Sequence, residues 1–125
     1  EPANEKKYLA NIRIHSIAEL NEILSRVDQL LLSGELNAGD SSPVVFLLHG
    51  DEVNALFKHQ YVEHKQVVDL AAKLSAFDVV DIQVCEAWLG KQNENKNRLQ
   101  PFVDFVPFAE AEKKRLLNEE NYNYF

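Results

Sequence analysis

Apolar positions along the chain switch period several times, and each switch marks a change of secondary structure. Over residues 8–15, Tyr8, Ala10, Ile12 and Ile14 alternate with Asn11, Arg13 and His15, the period of a strand with one apolar and one polar face. Ser16 with Glu19 three residues on is a capping box that starts a helix. Ile17, Leu20, Ile23, Leu24, Val27, Leu30 and Leu31 follow at helical spacing, and Gly34 is placed to cap the end. Residues 37–42 have the composition of a loop.

Pro43 opens a second strand, Val44–Leu48, apolar on both faces. Such a strand belongs in the middle of a parallel sheet covered from both sides. His49-Gly50 ends it, and Asp51 is positioned to cap a short helix through Val53, Leu56 and Phe57. A longer helix over 62–76 carries Val67, Leu70, Ala71 and Leu74. Residues 79–85 predict a third strand, with Val80, Ile82 and Val84 on one face and Asp81, Gln83 and Cys85 on the other. One helical turn over 86–91, a solvated loop over 93–97, a fourth strand bracketed by Pro101 and Pro107, and a charged helix over 109–120 follow. The aromatic tail, Tyr122, Tyr124 and Phe125, predicts a last short strand. This alternation describes one layered α/β domain over 1–125 with a mainly parallel sheet, and residues 1–7 as a flexible N-terminal extension.

With 125 residues the chain is the size of one domain, which buries roughly two-thirds of its unfolded surface. Apolar residues make up 46% and charged residues 26%, which excludes wholesale disorder. Twenty acids against 13 bases leave a net charge of −7, without the basic footprint that nucleic acids or anionic membrane surfaces require. The apolar runs are too short for a transmembrane helix, so neither nucleic acid nor membrane is expected as a partner. The single cysteine, Cys85, excludes an intramolecular disulfide and a multi-cysteine metal site, and no metal or cofactor is expected. Glu1-Pro2-Ala3-Asn4 reads as a mature N-terminus after signal-peptide cleavage, hence a periplasmic location, or as a simple chain boundary in a cytoplasmic protein.

Three predicted strands end in a reactive side chain: His15, His49 and Cys85. In open α/β sheets the loops beyond the carboxyl ends of the strands form the ligand crevice, so neighbouring strands would bring two imidazoles and a thiol to one rim. Cys85 shares its strand face with Asp81 and Gln83 and precedes a helical turn, which points to an accessible, moderately activated thiol. The alternative is a small buried hydrophobe. Glu86 beside it opposes a second negative charge. The segment from Cys85 to Lys91 has the spacing of a cysteine phosphatase loop but ends in lysine, without the arginine fork that grips phosphate. No glycine-rich nucleotide loop is present. His59 and His64 are spaced as a solvated pair rather than as metal ligands, and Trp88 reads as packing.

Taken together, these segments resemble the DsrE/DsrF-like sulfur-relay family from about Ile12 to Phe125. Val45-Phe46-Leu47-Leu48-His49-Gly50 with Val53 and Leu56 is similar to the family's second strand and following helix. Val84-Cys85 with Leu89 is similar to its third strand, cysteine and turn. The stretch 102–107, the charged helix and Asn121-Tyr122-Asn123-Tyr124-Phe125 resemble its Gly-Tyr-Ala-Tyr-Ile ending, with Asn121 tolerable where a positive φ is wanted. At the cysteine, the family's Cys-Gly-Asn-Ser/Thr-Leu is Cys85-Glu86-Ala87-Trp88-Leu89 here.

The resemblance implies a three-layer fold whose five-stranded sheet has the second strand between the first and third, and ring-like homo-oligomers, trimers or hexamers. It also implies a sulfur carrier or sulfurtransferase-like protein that exchanges persulfide sulfur with donor and acceptor proteins. Cys85 would be the nucleophile and carrier, His49 the nearest proton-handling or orienting group, and His15 a weaker one. The polar side chains Asn11, Arg13, Asp81 and Gln83 point to a sheet face covered by water or a partner subunit. The rival expectation is a non-catalytic oligomeric module that binds a small ligand or a partner's tail in the same crevice.

Overall fold

The computed structural model describes residues 6–37 and 42–125. The expected extension 1–7 lies outside the described residues as far as residue 5, and the expected loop 37–42 does so over 38–41. Strands β1 (Tyr8–Leu9), β2 (Val44–Leu48), β3 (Val80–Cys85), β4 (Asp104–Val106) and β5 (Asn123–Tyr124) form one sheet in the order β4-β3-β2-β1-β5. Every pairing is parallel, and β2 lies between β1 and β3 as expected. The register sets Leu48 beside Val84 and Cys85 beside Val106, so β2, β3 and β4 end at nearly one level.

Helices cover both sides of the sheet, which is why β2 carries no polar residue. On one side α1 (Ile17–Ser33), a 3-10 helix (Asp51–Leu56) and α2 (Lys65–Ala76) bury Leu20, Leu24, Val53, Leu56, Ala71 and Leu74 against Phe46, Leu48, Ile82 and Val84. On the other side the cover is thinner: Ala109 and Leu116 of α4 (Ala109–Asn118) cluster with Leu9, Val45 and Leu47, and Ala87 and Trp88 of α3 (Glu86–Lys91) pack against this cluster. No helix among the described residues is long and apolar enough to cross a membrane.

The caps behave as the local chemistry dictates. Ser16 Oγ accepts the N–H of Glu19 at 3.0 Å, and Gly34 closes α1 with φ +84°. Asn121 turns the chain into β5 with φ +60°, the left-handed geometry anticipated there. Asn123 N–H then donates to Lys7 O and Phe125 N–H to Leu9 O, laying the aromatic tail along β1.

Several boundaries differ. The predicted first strand, 8–15, survives only as Tyr8–Leu9 with one further ladder bond from Ala10 N–H to Val45 O. Beyond it the Glu19 carboxyl group accepts the N–H groups of Arg13, Ile14 and His15 at 2.9, 3.0 and 3.0 Å, drawing the backbone out of the sheet and onto the start of α1. Ile14, expected on the inner face, is 75% exposed as a result. Asn11 and Arg13 therefore lie beyond the end of β1, and the polar positions within the strands are Asp81, Gln83 and Asp104. Asp51 does not cap the short helix, whose N-cap is Gly50 without a side-chain bond. Helix α2 starts at Lys65 rather than 62, because His64 has non-helical angles. Strand β4 is shorter than 101–107, because Gln100 N–H bonds Leu56 O and Val103 N–H bonds Gln100 O in a turn.

Candidate functional site

Cys85 ends β3 and immediately precedes α3. Its neighbour in the sheet is Val106, the last residue of β4, so the turn from β4 into α4 wraps over the sulfur. Ala109, first in α4, donates its backbone N–H to Cys85 Sγ at 3.4 Å, and Pro107 O lies 3.9 Å from the same atom. An N–H at the start of a helix is otherwise without a partner, and the helix dipole favours electron density placed there. This cover leaves Cys85 only 7% exposed, which corrects the expectation of an accessible thiol. The polar residues on its strand face lie further down β3, and Cys85 belongs to the same apolar cluster as Leu47 and Ala109.

Access to the sulfur runs through one pocket of about 210 Å³, lined by His49, Cys85, Trp88, Lys91, Phe108 and Glu110, with Ala87 and Ala109. Trp88 is therefore both packing and pocket wall. Glu86, which would oppose a thiolate, is engaged by Lys96 at 2.7 Å. His49 follows β2 and faces Glu110 across the pocket, with Nε2 3.9 Å from Oε2.

His15 does not share the rim with Cys85. It sits in the turn before α1 with φ +57°, a left-handed conformation uncommon outside glycine. Its ring lies against that of His49, centroids 4.4 Å apart and planes tilted by 53°. A second, much smaller cavity, lined by His15, His49, Asn11, Lys113 and Tyr124 among others, shares His49 and Ala109 with the first. His49 and Ala109 thus stand between the cavity that holds Cys85 and the one that holds His15.

A residue not singled out by sequence reasoning holds this pair. Glu52, in the 3-10 helix, is completely buried. Its Oε2 lies 2.9 Å and its Oε1 3.1 Å from His15 Nδ1, and Oε2 also accepts the His49 backbone N–H at 3.0 Å. The sequence carries no local signal for Glu52, because its partners His15 and His49 are brought to it only by the packing of β2 and the turn before α1. Gly50 makes room for the arrangement: a methyl group there would meet His15 Cβ at 2.6 Å and Glu52 Oε1 at 2.9 Å.

Two carboxyl groups near the site depart from ordinary titration. Burial pushes Glu19 up, but the N–H groups of Arg13, His15 and Ile14 together outweigh it and hold the carboxyl below its usual range. Asp81 moves the other way: burial raises it, the bond from Gln83 opposes that, and Asp104 beside it adds to the rise. Among the described residues no group of three or more histidine, cysteine or acidic side chains is arranged to hold a metal ion.

No family model matches the sequence, and no curated protein matches it. Among solved structures the chain is similar to a protein of unknown function, MTH1491 from Methanobacterium thermoautotrophicum, with TM-score 0.65 and 16% identity over 94% of this chain and 93% of that one. At that identity the likeness establishes the fold: a three-layer α/β domain with a five-stranded parallel sheet.

Proposed function

We propose that this protein is a sulfur carrier of the DsrE/DsrF-like kind, holding sulfane sulfur as a persulfide on Cys85. The observation that carries the reading is the Cys85 sulfur on the wall of a 210 Å³ pocket with the Ala109 N–H donating to it. A thiolate of Cys85 attacks a sulfane sulfur of an inorganic polysulfide or a donor protein's persulfide. A bond forms from Sγ to that sulfur as its old S–S bond breaks, and the departing sulfur leaves with the electron pair. His49, in the same pocket, supplies or accepts the proton. Attack by an acceptor thiolate on the outer sulfur returns Cys85 as thiolate, with no net oxidation.

The burial of Cys85 favours a second reading, a non-catalytic module in which the pocket binds a small ligand or a partner's tail. Mass spectrometry after incubation with polysulfide separates the two. The carrier gains about 32 Da per sulfur on the native protein, reversibly, and Cys85→Ala gains none. Adducts that form only after denaturation would reject the carrier. Self-association as a trimer or hexamer belongs to the same proposal, through the thinly covered face that bears Asp81, Gln83 and Asp104. Light scattering that returns a clean monomer at micromolar concentration would reject it.

A further inference from the structure

A completely buried carboxyl group is costly unless its oxygens are satisfied, and Glu52 finds its hydrogen-bond donors in the two histidines of the site. We infer that Glu52 is a positioning residue that fixes His15 and, through it, the ring of His49 in the Cys85 pocket. The inference rests on Cys85 as the reacting thiol and adds the apparatus behind it.

Four features converge on His15. It occupies a left-handed backbone conformation, which persists in a non-glycine residue only when its surroundings over-determine it. Glu19 supplies part of that constraint by gathering the N–H groups of residues 13–15. Gly50 leaves space for the His15 Cβ that any other residue would occupy. Glu52 Oε2 lies within hydrogen-bond distance of the ring itself, 2.9 Å from Nδ1. An ionised carboxylate can only accept, so with Glu52 ionised this contact would select the tautomer that carries its proton on Nδ1.

The consequence for His49 is a double constraint. Its backbone N–H is tied to Glu52 Oε2 at 3.0 Å, and its ring rests on the ring of His15 at 4.4 Å. The imidazole that shares a pocket with Cys85 is therefore held from behind rather than free to swing, the role second partners play for catalytic and ligating histidines.

The experiment uses two variants with three readouts: iodoacetamide alkylation of Cys85 at fixed neutral pH, imidazole nitrogen NMR, and melting temperature. Glu52→Gln keeps the shape but can no longer act as a pure acceptor. Should it fail to fold, His15→Asn decides alone: asparagine tolerates the left-handed backbone, and its amide N–H can reach Glu52 in place of Nδ1, while the ring against His49 is lost. In wild type the neutral His15 ring is expected as the Nδ1–H form. In either folded variant the His49 resonances shift and alkylation slows roughly tenfold, the scale set by loss of a positioning partner. A folded Glu52→Gln or His15→Asn protein with wild-type alkylation and unchanged His49 resonances would overturn the inference. Because alkylation needs no sulfur donor, this outcome is independent of the polysulfide test: absence of persulfide with slowed alkylation removes the carrier and leaves the positioning role standing.

Discussion

The rings of His15 and His49 lie 4.4 Å apart, although one belongs to the turn before α1 and the other to the end of β2. Only the second reaches the pocket of Cys85. His49→Ala should slow Cys85 alkylation near neutral pH and cost little stability, within about 0.5 kcal/mol, because the side chain is partly exposed and the backbone N–H to Glu52 remains. Alkylation kinetics and thermal melts on the same preparation check this. A large stability loss with unchanged alkylation would assign His49 to the scaffold alone.

Gly50→Ala tests the same arrangement from its back. The added methyl would sit 2.6 Å from His15 Cβ, so either the 3-10 helix or the His15 turn must give way. Urea unfolding should report a loss of about 1–3 kcal/mol, the usual cost of overpacking. The His15 and His49 resonances should move with it. Wild-type spectra would mean that the turn relaxes without disturbing the rings.

Glu19 predicts a pH dependence. Its folded pKa lies below the ordinary 4.5, because three N–H donors outweigh the effect of burial. A depressed carboxyl contributes stability that is present above the unfolded value and is lost as pH falls through the folded one. The stability advantage of wild type over Glu19→Gln should be level near neutrality and shrink below pH 4.5. Paired unfolding curves from pH 7 down to pH 3 (roughly the acid-titration range) measure it.

Asp81 predicts the opposite slope. Burial, with Asp104 adding to it, raises its folded pKa above the ordinary 3.8. A raised carboxyl favours the protonated fold, so its contribution is present below the unfolded value and is lost as pH rises through the folded one. Asp81→Asn should therefore be more stable than wild type at neutral pH, keeping an acceptor for the Gln83 amide, and the gain should vanish on acidification to pH 3.8 and below. A variant less stable at every pH would show that the carboxylate is favourably paired in solution.

Much of the architecture was legible because it is written in local periodicity. The unbroken apolar run Val44–Leu48 identified the central strand, and alternation over Val80–Cys85 identified its neighbour. Ser16 and Gly34 bounded α1 by chemistry that needs only adjacent residues. Asn121 turned as its tolerance of positive φ allows.

His15 was misplaced for a physical reason. Alternation from Tyr8 to His15 is a valid strand signal, but Glu19 offered three N–H groups a carboxyl acceptor and won them from the sheet. Period cannot weigh that competition.

By itself the sequence determined the order of strands and helices, a mainly parallel sheet with β2 inside, and the placing of Cys85 and His49 at strand ends, but not where β1 stops. Only the tertiary structure decided what surrounds them. Glu52 meets His15 across 37 positions of chain, and Cys85 meets Ala109 across 24. Burying a carboxyl group or covering a sulfur depends on partners that distant segments bring, and that information appears only once the layers have packed.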